Sequence, residues 1–318
     1  MRNVFLASCV LAGAVFASDT PTTAPKAAPA ASAPAKVVAL EHIAVIGASI
    51  SAGFGLDDSK EMLAESKIQL SNVIDASLNV PHQPLVSAAT MMFFTNPQQY
   101  GKKSMALITK EKPTLVVGID YLFWFGYGMG KGVTEESRIA KVDAALKELE
   151  ALTCTILLGD LPDMTMATKV SEPMLQKEMV PQPETLEKIN ANITAWCAAH
   201  KNVVLVPLAD LTARLQSDAE ISVRGNTWPK GSITKLMQSD RLHTTLEGTC
   251  AVWALAADCL LKAQKDMPVT AFELDVAKLL PKVSATKKDA EPTPPAGKDA
   301  QGGAKGKAKS GAGRTPPK

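Results

Sequence analysis

The sequence is short of the groups that most often announce a chemistry. Only four histidines occur in 318 residues, and neither they nor the five cysteines fall at the separations that hold a zinc ion. No metal and no organic cofactor is expected. Aromatic residues make up 5% of the chain and the formal net charge is +2, so no broad basic surface invites nucleic acid. That small charge is unevenly spread. From Lys282 to the end nine Lys or Arg stand against three acids, an excess of +6 that leaves −4 for everything before it. The uncharged run at Val4–Ala17, fourteen residues long, is too short for a comfortable membrane span.

That run has a better reading. With Arg2 before it and Ala14-Val15-Phe16-Ala17 at its end, it matches a secretory signal peptide over residues 1–17. A rival reading through Leu6-Ala7-Ser8-Cys9 is a lipid anchor, although Cys9 sits early in the run. Residues 18–36, of which eleven are Ala or Pro, predict an extended tether. The expected location is therefore secreted or periplasmic. Export would let disulfides persist among Cys154, Cys197, Cys250 and Cys259, but each lies in an apolar context without close pair spacing, the pattern of a small buried hydrophobe. Residues 284–318 lack apolar periodicity and predict a disordered basic tail, with a weak contact to anionic envelope polymers as its only suggested role.

Between tether and tail, short apolar runs alternate with long helical patterns. Strands are expected at Ile43–Ile46, Pro84–Ser87, Thr114–Gly118, Cys154–Gly159 and Val203–Val206. Helices are expected over Leu56–Ala76, from Asn96-Pro97 toward Lys110, from Thr134 through Leu149, over Pro183–His200, and over the run Cys250–Leu261. Strands of four to six apolar residues between helices imply a parallel sheet covered on both faces. The fold class is α/β, doubly wound and flavodoxin-like, in one domain over residues 37–283.

The first strand runs into Gly47-Ala48-Ser49-Ile50-Ser51-Ala52-Gly53-Phe54-Gly55. A hydroxyl residue there stands at the carboxyl edge of a sheet, where open α/β folds bind ligands. Two chemistries use such a turn. One is a dinucleotide site of the short-chain dehydrogenase kind; Tyr127-Gly128-Met129-Gly130-Lys131 fits its Tyr-x-x-x-Lys spacing, but Gly47 and Gly53 are too far apart for the phosphate fingerprint. In the other, Ser49 is a nucleophile and needs a histidine base with a carboxylate behind it. Asp240-Arg241-Leu242-His243, just before the last helical run, supplies both: the spacing lets Asp240 accept the Nδ1 proton while Nε2 faces outward.

Two other stretches stand out. Asp120-Tyr121-Leu122-Phe123-Trp124-Phe125-Gly126-Tyr127 packs five aromatic residues into seven positions, either as a pocket lining or as a hydrophobic clamp between sheet and helix. Met164, Met166, Met174 and Met179 fall in a long connection after Gly159-Asp160-Leu161-Pro162, readable as a mobile lid or as a plain loop.

Taken in order, Gly-x-Ser-x-x-x-Gly after the first strand, a turn after the second, Gly-x-x after the third and Asp-x-x-His before the last helix resemble the SGNH (GDSL-type) hydrolases, over Ile43 to about Leu261. The resemblance implies a carboxylic ester hydrolase with Ser49 as nucleophile, His243 as base and acid, and Asp240 as orienter. Its substrate would be an acylated carbohydrate, a lipid or another small ester. It also implies that the amides of Ser49 and Ala88 serve the oxyanion, Ala88 standing where the family has Gly. Ala48 replaces the family's Asp, and Asp120 falls where the family has an oxyanion-donating Asn. An ionised Asp120 cannot donate. Either it is held protonated among the aromatic residues, or it turns to another task such as bonding Ser49 or a substrate hydroxyl. Asp120 also leaves room for a second reading, a catalytically weak or inactive module of the same fold that binds carbohydrate or envelope polymer.

Overall fold

The computed structural model describes residues 37–57, 66–128 and 133–289. The signal-peptide and tether readings of residues 1–36, the dehydrogenase-like Lys131 and the tail beyond residue 289 lie outside the described residues.

In chain order the elements are β1 (Ile43–Val45), α1 (Leu70–Ser77), β2 (Val86–Ser87), α2 (Pro97–Glu111), β3 (Leu115–Gly118), α3 (Phe123–Gly126), α4 (Glu135–Leu149), β4 (Thr155–Gly159), α5 (Pro183–Ala199), β5 (Val203–Val206), α6 (Leu208–Gln216), β6 (Ile221–Val223), β7 (Asn226–Trp228), α7 (Ile233–Leu236), α8 (Leu246–Ala263) and α9 (Val276–Asp289). The main sheet has the order β2-β1-β3-β4-β5 and is parallel throughout. β1 and β3 are wholly buried because helices cover both faces, which is why they read as unbroken apolar runs. On one side α1, α8 and α9 pack on one another; on the other, α4 packs against α2 and α5.

The strand order reverses direction at β1, so the carboxyl ends of β1 and β3 flank a crevice at the topological switch point. That order also removes the dinucleotide reading, since the nicotinamide-binding sheet runs 3-2-1-4-5-6.

Local signals act as expected in most of the helices. Asn96 caps α2 by accepting from the Gln99 amide at 3.1 Å, with Pro97 at the first position. Thr134 and Ser137 form a reciprocal cap on α4, and the acids Glu135 and Glu136 occupy its first turn. Two expectations need correction, and two features are new. Within the span Leu56–Ala76, the described residues are helical only from Leu70, after an extended Gln69 cap. α6 and the β6–β7 hairpin are additions to the sequence reading; the hairpin turns on Arg224 and Gly225, both with positive φ (49° and 81°). Finally, α9 passes residue 283 and continues to Asp289, so the boundary drawn by composition cuts through a helix.

Candidate active site

The chain brings Ser49 and His243, 194 positions apart, to a 2.9 Å contact between Oγ and Nε2. Ser49 lies four residues beyond β1, in a turn closed by the amides of Ala52 and Phe54 on the carbonyls of Ala48 and Ser49. His243 lies in the short loop that leads to α8, where Thr245 caps the helix by accepting from the Gly248 amide. Its Nδ1 is 2.7 Å from Asp240 Oδ2, while Asp240 Oδ1 accepts from the amides of Leu242 and His243 at 2.9 and 3.0 Å. Burial alone would push the Asp240 carboxyl up. The hydrogen bond from the His243 ring, with those from the two amides, outweighs that and holds the carboxyl below the usual carboxylate range. An ionised Asp240 can only accept, so the Nδ1 proton must sit between them and Nε2 is left to accept from the Ser49 hydroxyl. The arrangement can move a proton from Oγ to Nε2 at the moment Oγ attacks an electrophile.

Asp120 turns to another task, bonding the turn around Ser49 rather than Ser49 itself. From the end of β3 its carboxylate reaches across the switch point and gathers the nucleophile turn: Oδ1 accepts from the Ala48 amide (3.1 Å) and the Ser51 hydroxyl (2.5 Å), and Oδ2 accepts from the amides of Ile50 (2.9 Å) and Ser51 (3.1 Å). Gly47 permits this approach, for a Cβ there would lie 2.0 Å from Asp120 Oδ1. Burial pushes the Asp120 carboxyl up, and the bonds from Ser51, Ala48 and Ile50 oppose that. Among the four amides of residues 48–51, only that of Ser49 has no acceptor among the described residues. It is the donor left for a developing oxyanion.

The resemblance's other oxyanion assignment needs correction. The Ala88 amide donates to the Val45 carbonyl at 2.8 Å, extending the β1–β2 ladder by one step, and is thereby committed to the sheet. The aromatic stretch is mainly the clamp. Tyr121 and Phe125 pack edge-on against Phe93 in the core, and of the five aromatic residues only Phe123 borders the cavity beside Ser49. Tyr127, the tyrosine of the dehydrogenase-like spacing, is fully buried; its hydroxyl donates to the Pro162 carbonyl (2.6 Å) and accepts from the Met164 amide (3.0 Å).

Those two bonds also bear on the methionine-bearing connection. Buried Arg138 fastens its far end by donating to the carbonyls of Glu178 and Met179 at 2.7 and 3.0 Å, so the plain-loop reading describes it better than a lid. The four cysteines within the described residues are unpaired, and burial pushes the thiols of Cys197 and Cys250 up to about 12, as inert core groups. Among the described residues no cluster of His, Cys, Asp or Glu is placed to hold a metal ion.

Two contributors escaped the sequence reading. Phe54 stacks on the His243 imidazole with ring centroids 4.0 Å apart. Gln238 ties the Ser49 and His243 loops together: Nε2 donates to the carbonyls of Phe54 (2.7 Å) and Thr244 (2.8 Å), and its own amide donates to the His243 carbonyl (2.8 Å). Phe54 had a signal, an isolated aromatic between two glycines. Gln238 had none, since its partners are main-chain atoms.

No family model matches the chain, and no curated protein does either. Solved structures similar to it include TesA, with 19% identity over 70% of this chain and 100% of that one and a TM-score of 0.40. A GDSL-like lipase from Bacteroides thetaiotaomicron VPI-5482 has 16% identity over 70% of this chain and 89% of that one, with a TM-score of 0.40. The acetylxylan esterase Axe2 from Geobacillus stearothermophilus has 14% identity over 74% and 95%, with a TM-score of 0.41. Likeness at this level adds nothing to the geometry of the site, which stands on its own distances.

Proposed function

We propose that this protein is a serine hydrolase that cleaves carboxylic esters through an acyl-enzyme on Ser49. The observation that carries the reading is the unbroken chain from Ser49 Oγ to His243 Nε2 (2.9 Å) and from His243 Nδ1 to Asp240 Oδ2 (2.7 Å). As Oγ attacks the ester carbonyl, its proton passes to Nε2, and the imidazolium that forms is stabilised by Asp240. The Ser49 amide donates to the tetrahedral oxyanion. Collapse expels the alcohol, which takes the proton from Nε2, and a water activated by the same nitrogen releases the acid. Asp120 serves this scheme by keeping the turn in shape, which leaves the binding-module reading without the feature that favoured it.

Turnover of p-nitrophenyl acetate by the protein and by Ser49→Ala tests the scheme. The substitution is expected to lower kcat on the order of 10⁶-fold, as removal of a serine nucleophile does. Equal rates would overturn it. We also propose export, on the strength of Arg2 and the apolar run Val4–Ala17. Protein recovered outside the cytoplasm is expected to begin at Ser18, and an intact Met1 on that material would refute cleavage.

A further inference from the structure

Beside Ser49 opens a narrow cavity whose walls are mostly aliphatic. One wall is α6, which turns Leu208, Leu211 and Leu215 into it at helical spacing. α8 also lines it, with the small side chains of Ala251 and Val252 in its first turns, while Gly248 lets that helix approach the Leu236 carbonyl. The polar side chains at its border are mostly engaged elsewhere. Asp160 accepts from the Ala209 amide at 2.8 Å, Thr244 is bonded to Thr249 at 2.7 Å, and Asp120 holds the nucleophile turn. A sugar ring placed there would lose its hydrogen bonds to water without finding replacements.

We infer that this cavity is the acyl site, and that the enzyme takes esters of medium-length aliphatic acids. The inference rests on the Ser49 reading and adds the substrate class to it. In the acyl-enzyme the alcohol leaves and water enters, so the open side belongs to the leaving group and the enclosed side to the group that stays on Oγ. From Leu208 to Leu215 the apolar stripe spans about 10 Å along the helix axis, which an extended alkyl chain of about eight carbons matches. Each methylene moved from water into such a wall is worth up to about a fourfold gain in binding.

Two measurements test this. In the first, kcat/KM is compared for p-nitrophenyl acetate, butyrate, octanoate and palmitate, and for ethyl acetate against octyl acetate. The octanoate ester is expected to exceed the acetate by roughly 100-fold or more, with no further gain at palmitate and no comparable advantage for octyl acetate over ethyl acetate. A flat acyl series, or a preference that follows the alcohol chain, would overturn the inference while leaving Ser49 hydrolysis intact. In the second, calorimetry follows methyl octanoate and methyl acetate binding to Ser49→Ala, which needs no turnover. Methyl octanoate is expected to bind far more tightly, and Val252→Phe, deep in the wall, and Thr212→Trp, at the half-buried rim, are each expected to weaken it at least tenfold. Equal affinity for the two esters, or octanoate binding indifferent to both substitutions in folded protein, would refute the site whatever the catalytic result.

Discussion

Two carboxylates flank Ser49 and do opposite jobs. Asp240 sits in a loop, partly open to solvent, and faces the imidazole, so its charge is kept and its carboxyl lies low. Asp120 sits at the end of a buried strand, has amides and a hydroxyl but no cation among its bonded partners, and its carboxyl lies high. One holds the His243 ring and the other shapes the backbone around Ser49. A carboxylate near a catalytic serine is therefore not one kind of residue; what it bonds decides what its loss does.

Asp240→Asn should break the first half of that contrast most sharply. It offers His243 the wrong hydrogen-bonding partner, and kcat is expected to fall about 10⁴-fold, with the melting temperature little changed. A rate within tenfold of the parent would show that Asp240 does not fix the tautomer. Asp120→Asn tests the other half. Its amide group would turn an N–H toward amides that also donate, leaving about two of them unpaired at roughly 1 to 3 kcal/mol each. The expected outcome is a destabilisation of about 2 to 6 kcal/mol in denaturant titrations and a loss of about 10² in kcat from the displaced turn. A gain in rate would instead make Asp120 a hindrance and its bonds to the turn incidental.

Gln238→Leu should have a smaller effect. It removes one hydrogen bond between the loops, to Phe54, and one within the His243 loop, to Thr244, worth about 1 kcal/mol each, and kcat is expected to drop about tenfold with KM nearly constant. A rise in KM alone would assign Gln238 to substrate binding. The smallest expected effect lies in the pH dependence of stability, where the two acids have opposite signs. The raised Asp120 carboxyl makes the folded state the better proton binder, so its contribution is full below about pH 4 and fades as pH rises through the folded value. The lowered Asp240 carboxyl contributes above about pH 4 and loses that contribution as pH falls through its folded value. Unfolding titrations of Asp120→Asn should lack the first slope, and those of Asp240→Asn the second. Unchanged profiles would mean that neither group differs between the folded and unfolded states.

Much of this site was legible before any coordinates. Val45 and Ile46 running into Gly47, Ala48 and Ser49 mark a buried strand that ends in a turn, and Asp240 with His243 lies three residues apart ahead of a strongly apolar helix. The direction of Asp120 was not legible. It depends on the register that pairs Val45 with Val117, which carries Asp120 across to the turn after β1, and on the space that Gly47 leaves. Nor could the fate of the Ala88 amide be read, because sheet pairing is a long-range event. α6 had a readable stripe in Leu208, Leu211 and Leu215, but only Pro207 separates it from β5, so strand and helix run together as one apolar stretch. Of the span Leu56–Ala76, the described residues become helical only at Leu70, because apolar spacing alone does not reveal where a cap such as Gln69 opens a helix.

The grip of Asp120 on the nucleophile turn involves three main-chain donors and a single side chain. Main-chain groups are common to every residue except proline, so the anchor itself does not depend on which side chains stand at positions 48 and 50, and at buried Ala48 it is packing that limits the choice. Alanine at position 48, where the resemblance leads one to look for an acid, is the kind of drift such an anchor tolerates. Position 47 has no such freedom, because any side chain there would meet the carboxylate itself.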